Sequence, residues 1–358
     1  MIKVLFESSI FLHQEIGGIS KYITCLNENL NKKNIHSTIY SPLTINNYLN
    51  KKKRSNIFFL RFKKIPKFFR KIFFIINNLL TFLYIKFYKP DLIHFSYYNV
   101  ALLNYINTPY VLTVYDLIHE KLDLRQNQFE KKKLIENAKH IICISEQTKK
   151  DLLKYYKVNQ KKVSVIHLGI KNFKKIKKKE KKKNFILYVG DRGRYKNFFN
   201  LISAFNKSKF LKKNFQIICF GGGQFKKEEI KIFEKFKILK KITYKTGNDE
   251  LLDKTYREAS LFVSISLLEG FGLTPLEAVN LGCPVVCSNI EVFRETLKNS
   301  CIFVDPKKIK DIKNGMERVL KSAIIQKKLV SRGKMRVKQF TWQKCAQSTS
   351  KIYNEILK

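Results

Sequence analysis

Two glutamates eight positions apart, Glu269 and Glu277, flank the run Gly270-Phe271-Gly272-Leu273-Thr274-Pro275. Two glycines that close mark a backbone that turns tightly or meets a ligand closely. Thr274-Pro275-Leu276-Glu277 has the composition of a helix start: a threonine suited to the N-cap, a proline suited to the first turn, and a glutamate at the capping-box position. The helix is expected to end near Gly282. A helix N-terminus facing a glycine turn offers unpaired N–H groups and the positive end of the helix dipole to an anion. Carboxylates accept hydrogen bonds from sugar hydroxyls, so the combination points to a ligand carrying both phosphate and sugar. From spacing alone, Glu277 as a capping residue and Glu269 as a loop residue fit equally well.

A second basic element is Gly190-Asp191-Arg192-Gly193-Arg194-Tyr195-Lys196-Asn197. A guanidinium and an ammonium beside a glycine turn suit a departing diphosphate, on which negative charge builds. Gly17-Gly18, after the first apolar run, is another phosphate-friendly turn, although a lone glycine pair is often just a turn. His94, Asp116 and His119 follow apolar runs, where an open α/β sheet places its ligands. A lone histidine is more often structural, so Asp116 and His119, three apart on one loop, weigh more than His94.

The elements that must position these groups alternate. Buried-strand patterns occur at Ile2–Phe6, Pro90–Phe95, Tyr110–Val114, His140–Ser145 and Val163–Leu168. They resume at Phe185–Val189, Phe215–Phe220, Ile242–Tyr244, Leu261–Ser266, Pro284–Ser288 and Ile302–Asp305, and the chain is then helical to Lys358. This predicts an α/β protein of two domains: 1–170, joined by the last helix at 340–358, and 184–339. The lysine-rich stretch 171–183 reads as a solvated linker between them.

The run from Glu269 to Glu277, continued by Ala278-Val279-Asn280-Leu281-Gly282-Cys283-Pro284, resembles the E-x7-E signature of family 4 glycosyltransferases of the GT-B fold. The resemblance extends over nearly the whole chain. It implies two Rossmann-like domains facing across a cleft, with the last helix crossing back near Phe340-Thr341-Trp342. It also implies transfer of a hexose from a nucleotide-diphosphate sugar with retention at the anomeric carbon. Carried over residue by residue, it puts Arg192 (with Arg194 as competitor) and Lys196 on the diphosphate. Gly17 and Gly18 approach that diphosphate from the opposite domain. The amides of Gly270, Phe271, Gly272, Leu273 and Thr274 serve sugar or phosphate, Glu269 the donor sugar and Glu277 the ribose. Family members usually have His-Asp where this chain has Tyr115-Asp116, which leaves Asp116 and a substitute, His119, as catalytic candidates beside Glu269. No metal or other cofactor is expected, since protein cations do the charge work. The segments GGISKY and YDLIHE look closest to bacterial mannosyltransferase-like members, so GDP-mannose is the first donor expected, with a lipid-linked or surface-polysaccharide glycan as acceptor.

Composition leaves other readings open. The 358 residues carry a formal net charge of +43, which suggests nucleic acid first and an anionic membrane second. The lysines are spread along the chain, as an AT-rich genome would produce, and no helix-turn-helix, zinc or RNA-recognition signature supports nucleic-acid binding. From Lys51 to Lys89, basic residues interleave with Phe, Ile and Leu like a pair of interfacial amphipathic helices broken near Pro66. Arg54, Arg61, Lys63, Lys64, Lys67, Arg70 and Lys71 would meet head groups while Phe68, Phe69, Phe73 and Phe74 insert. A core-facing helix with a lysine-rich outer side fits the same residues. The seven scattered cysteines suggest reduced thiols, the N-terminus lacks a signal-peptide pattern, and no stretch reaches 18 uncharged apolar residues. A cytoplasmic protein, peripheral on the inner membrane face, is the expectation. The alternatives are a basic nucleic-acid-binding protein and a non-catalytic membrane scaffold of the same fold. A nicotinamide dehydrogenase is disfavoured, because no G-x-G-x-x-G follows the first strand of either half.

Overall fold

The computed structural model describes residues 1–32, 35–50, 55–124, 128–171 and 180–358. Arg54 and positions 172–179 of the lysine-rich stretch lie outside the described residues, as do the side chains of Lys67 and Arg194. The chain forms two compact units, Met1–Gly169 with Phe340–Lys358, and Ile170–Gln339.

The first unit is built on strands β1 (Ile2–Phe6), β2 (Ile35–Tyr40), β4 (Asn56–Ile57), β6 (Leu92–Phe95), β7 (Tyr110–Val114), β8 (His140–Cys143) and β9 (Val163–Val165). Short strands β3 (Leu43–Thr44) and β5 (Leu60–Arg61) pair separately. The main sheet runs in the order β4-β2-β1-β6-β7-β8-β9. All its pairings are parallel, and every residue of β6 and β7 is buried, as expected of a sheet covered on both faces. Strand order reverses between β1 and β6, so ligand-binding loops are expected where those two strands end. The C-terminal helix, Trp342–Ile356, belongs to this unit and packs on the Gly18–Leu30 helix. Gly169 lets the start of the C-terminal helix lie against it, because a Cβ there would lie 2.4 Å from the Trp342 amide nitrogen.

The Lys51–Lys89 segment is not a helix pair. Among its described residues, the first part supplies β4 and β5, and only Arg70–Tyr88 is α-helical, after a 3-10 turn at Lys67–Phe69. Nor is that helix an ordinary core-facing one. Its buried residues are Asn77, Thr81 and Ile85, and Asn77 makes two 2.9 Å hydrogen bonds to the backbone of Leu43. Phe73 and Phe74 turn inward on Leu12, Leu43 and Ile65. Facing out are Ile72, Ile75, Ile76, Leu79, Leu83 and Phe87, the last 84% exposed. This helix is long and apolar enough to cross a membrane by length and composition, but its polar face is bonded into the unit.

The second unit holds β10 (Lys183–Val189), β11 (Gln216–Phe220), β12 (Ile242–Lys245), β13 (Ala259–Ser264), β14 (Val285–Ser288) and β15 (Ile302–Val304). They form one parallel sheet in the order β12-β11-β10-β13-β14-β15. This is the doubly wound dinucleotide-fold order, with its switch point between β10 and β13.

Candidate active site

In the second unit the two strands at the switch point end in loops that are sewn together. Gly190, just past β10, has φ +107°, and its amide donates to the Phe220 carbonyl at 2.9 Å. Gly222 has φ +72°, and a Cβ there would lie 2.2 Å from the Gly190 oxygen. Only glycine allows the turns after β10 and β11 to touch backbone to backbone. The chain then makes a 3-10 turn, Arg194–Lys196. The Leu267 amide donates to the Tyr195 carbonyl at 2.7 Å, and the Asn197 side chain donates to the Ile265 carbonyl at 3.1 Å. These bonds bring Lys196 Nζ to 2.8 Å from Glu269 Oε1, which also accepts from Ser266 Oγ at 2.8 Å. The Lys196 and Glu269 side chains stay 23% and 17% exposed, within reach of solvent.

The following helix begins earlier than its sequence suggests. It spans Leu273–Asn280 with Gly272 as N-cap at φ +91°, and no side chain caps it. Thr274 lies inside the first turn, and Glu277 falls two residues past the capping-box position, which Pro275 occupies. A Cβ on Gly272 would lie 2.6 Å from the Phe293 ring, so only glycine permits this entry. As a glycine, the N-cap brings no side chain of its own to the first-turn amides. Burial first, then the charge of Glu277, push the Tyr256 phenol well above its ordinary range.

Arg192 is buried in a set of hydrogen bonds within the unit. Its Nε donates to Glu229 Oε1 at 2.6 Å, and its terminal nitrogens bond the carbonyls of Gly221, Gly223 and Gln224. Phe225 lies 5.0 Å from the guanidinium carbon, and the side chain is 4% exposed. The guanidinium is held by Glu229 and the glycine turn after β11, and among the described side chains the ammonium of Lys196 lies beside Glu269.

In the first unit, Gly17 is the N-cap of the Gly18–Leu30 helix. Gln14 occupies part of that helix start, its Oε1 accepting from the Ser20 amide at 3.2 Å. Asp116 Oδ1 accepts from the Ile118 amide at 3.1 Å and shapes the turn. His119 sits on the one-turn helix Ile118–Lys121 and is partly exposed. His94 is fully buried between Thr113 and Tyr353. Burial drops its pKa to about 3, so it is a neutral packing residue that ties down the C-terminal helix.

Sequence reasoning passed over Glu7. It lies at the end of β1, beside the switch point, and is 2% exposed. Its carboxylate accepts from the Ser9 amide at 2.7 Å, Ser9 Oγ at 2.9 Å and Asn99 Nδ2 at 2.9 Å. The only signal was an acidic residue directly after an apolar strand. Ser9 and Asn99 also line a cavity of about 710 Å³ with His13, Arg70, Lys71, Phe74, Ile75, Tyr97 and Tyr98. Among the described residues, no three His, Cys, Asp or Glu side chains are grouped to hold a metal ion.

Comparison with known proteins decides the family. Residues 16–171 match the family described as Glycosyltransferase Family 4, and residues 169–336 match Glycosyl transferases group 1. The chain belongs to the family 4 glycosyltransferases of the GT-B fold. The two matches of this glycosyltransferase meet where its two compact units part. The O-antigen chain mannosyltransferase RfbU of Salmonella typhimurium is 31% identical over 181 residues, 50% of this chain and 50% of that relative. The chain thus spans about half the length of that curated relative. An uncharacterized glycosyltransferase of Methanocaldococcus jannaschii is 26% identical over 99% of both chains. The sucrose-phosphate synthase of Thermosynechococcus elongatus has the same fold, with a TM-score of 0.80, 20% identity, and coverage of 99% of this chain and 98% of that one.

Proposed function

We propose that the chain is a retaining hexosyltransferase that takes its sugar from a nucleotide diphosphate, GDP-mannose being the first donor to test, and passes it to a lipid-linked glycan. The observation that carries this reading is the Lys196–Glu269 pair, 2.8 Å apart at the β10/β13 switch point, beside a helix start whose N-cap is a glycine. In this reading the amides of Leu273 and Thr274 take phosphate oxygens, while Glu269 accepts from a hydroxyl of the donor sugar and Glu277 from the ribose. Lys196 balances the charge that grows on the diphosphate as the anomeric C–O bond breaks. The electron pair leaves with the phosphate oxygen. The acceptor hydroxyl bonds to the same face of the anomeric carbon, and its proton passes to that departing oxygen. Asp116 and His119 are assigned to the acceptor side. Mannose is favoured by the likeness to RfbU, whose own name states mannosyl transfer.

The outward stripe of the Arg70–Tyr88 helix supports a peripheral membrane position on the cytoplasmic face. Ile75 is 65% and Leu79 57% exposed, while the polar Asn77 and Thr81 are inside, the reverse of a helix made to face water. The test is a donor screen by thermal stability with GDP-mannose, UDP-glucose, UDP-N-acetylglucosamine and the free nucleoside diphosphates. One nucleotide class should raise the midpoint of the native chain, and much less that of Glu277→Ala. No response to any donor, with salt-sensitive binding to single-stranded nucleic acid instead, would favour the charge-based alternative.

A further inference from the structure

The loop after β7 is clamped by a buried ion pair. Tyr115 and Asp116 leave the strand, and the one-turn helix Ile118–Lys121 follows. The Asp116 side chain closes its own turn on the Ile118 amide, which fixes only the local shape. The loop is fixed to the unit by Lys131, on the Gln128–Asn137 helix. Its Nζ lies 2.9 Å from Glu120 Oε1 and 3.0 Å from Glu120 Oε2, and donates to the Asp116 carbonyl at 3.3 Å. It also sits 4.8 Å from the centroid of the Tyr98 ring, in the loop after β6. One ammonium therefore ties together the loops at the ends of two neighbouring strands, where an open α/β sheet places its ligands. Glu120 is held from a second element as well, since the Tyr156 hydroxyl donates to Oε1 at 2.6 Å. The next residue, Lys121, pairs with Asp151 at 2.5 Å.

Stability alone is a poor account of this arrangement. The Lys131 and Glu120 side chains are 2% and 5% exposed. Two charges taken out of water lose much in desolvation, and an apolar pair of similar size is often as stable or more so. Apolar packing has no direction, however, whereas this ammonium is committed to a carboxylate, a carbonyl and a ring face. Any other position of the loop would strand a buried charge. We infer that the Lys131–Glu120 pair holds the loop of Asp116 and His119 in one geometry for transfer, so that Lys131 and Glu120 are positioning residues. Buried as they are, they act through the Asp116 backbone and through the short helix that carries His119. This inference rests on the transferase reading, which assigns that loop to the acceptor side.

The test replaces both charges at once, Lys131→Met with Glu120→Leu, because removing one alone strands the other. In the purified full chain this apolar pair should keep the wild-type thermal midpoint and the wild-type binding of GDP or UDP. Its kcat for hexose transfer from a nucleotide sugar to a synthetic sugar-diphosphate lipid should fall by about ten- to a hundredfold, the scale of a reacting group displaced by about an ångström. The amide pair, Lys131→Gln with Glu120→Gln, keeps directed hydrogen bonds and should restore a good part of that kcat. Adding Asp116→Asn to the apolar pair should cost less than the same change costs the wild type, since a positioned group and its support act as a unit. Amide hydrogen exchange over residues 116–122, measured without any donor, should be about tenfold or more faster in the apolar pair than in the wild type. A wild type that transfers no hexose from any donor marks a failure of the transferase reading, and the exchange rates then decide the clamp by themselves. Wild-type kcat or wild-type exchange in the apolar pair would overturn the inference. A steep fall in its midpoint, or loss of nucleoside diphosphate binding together with kcat, would overturn it in favour of a folding role.

Discussion

Replacing Arg192 by alanine separates a folding role from a ligand role. The guanidinium and Glu229 are 4% and 6% exposed and lie 2.6 Å apart. Removing one partner strands a buried carboxylate and costs about 3–5 kcal/mol. The carbonyls of Gly221, Gly223 and Gln224 also lose donors, so the upper part of that range is expected. For a unit of this size each kcal/mol moves the midpoint by about 2–4 °C, which makes the fall roughly 6–20 °C. Thermal unfolding followed by circular dichroism measures it. Arg192→Lys should recover little, since an ammonium cannot span Glu229 and three carbonyls. Arg192→Ala with Glu229→Gln should recover part of the loss, because the stranded charge is then gone. A variant Arg192→Ala that unfolds at the wild-type temperature yet no longer binds nucleoside diphosphate would refute the reasoning and return the guanidinium to the diphosphate.

Lys196→Ala is expected to behave in the opposite way. Its pair with Glu269 is partly open to water, so stability should change by about 1 kcal/mol or less, while donor affinity and turnover fall steeply; calorimetry with nucleotide sugars checks both. Glu7→Gln should shift the pH dependence of stability. Burial is the largest influence on the Glu7 carboxyl and raises its pKa, against hydrogen bonds from Asn99 and Ser9 that lower it. A folded pKa above the unfolded one gives stability that is fully present below the unfolded value and is lost as pH rises through the folded value. The variant does not titrate there, so its stability relative to wild type should improve from acidic to neutral pH; urea unfolding across that range reads it, and a constant difference would argue against the buried-carboxylate account. Asn77→Ala should cost about 1–3 kcal/mol by stranding the Leu43 amide and carbonyl, whereas Leu79→Asn should cost almost nothing in stability and reduce flotation with anionic vesicles.

Much of the fold was legible because parallel strands covered on both faces read as continuous apolar runs. LIHF and YVLTV are examples, and both became fully buried strands. Strand β2, Ile35–Tyr40, was missed; its IHSTIY run carries a histidine, a serine and a threonine, and Ser37 and Thr38 are buried and bonded by side chains from neighbouring helices. The helix has its N-cap two residues before Thr274, at Gly272, because that glycine can adopt φ +91°. A threonine-proline pair cannot announce that choice, which depends on the Phe293 ring packed against the glycine. The basic stretch around Arg192 showed which residue types were present but not which cation turns inward, since that is decided by Glu229, 37 positions away in sequence. In the Arg70–Tyr88 helix, Phe73 and Phe74, expected to insert into a membrane, pack inward on Leu12, Leu43 and Ile65, because Asn77 on the same helix is bonded to the Leu43 backbone.

In the proposed reaction the second unit binds a nucleotide sugar through Lys196, Glu269 and Glu277 and gives up its hexose. The most direct test incubates the purified chain with GDP-mannose and a synthetic sugar-diphosphate lipid, and follows the acceptor by mass spectrometry beside the Lys196→Ala and Glu277→Ala variants. The account expects one hexose added with the anomeric configuration of the donor retained, and product formation lost in both variants while they stay folded. Failure with GDP-mannose but success with another nucleotide sugar would change the donor and keep the claim. Product formed equally by wild type and both variants, or inversion at the anomeric carbon, would contradict it.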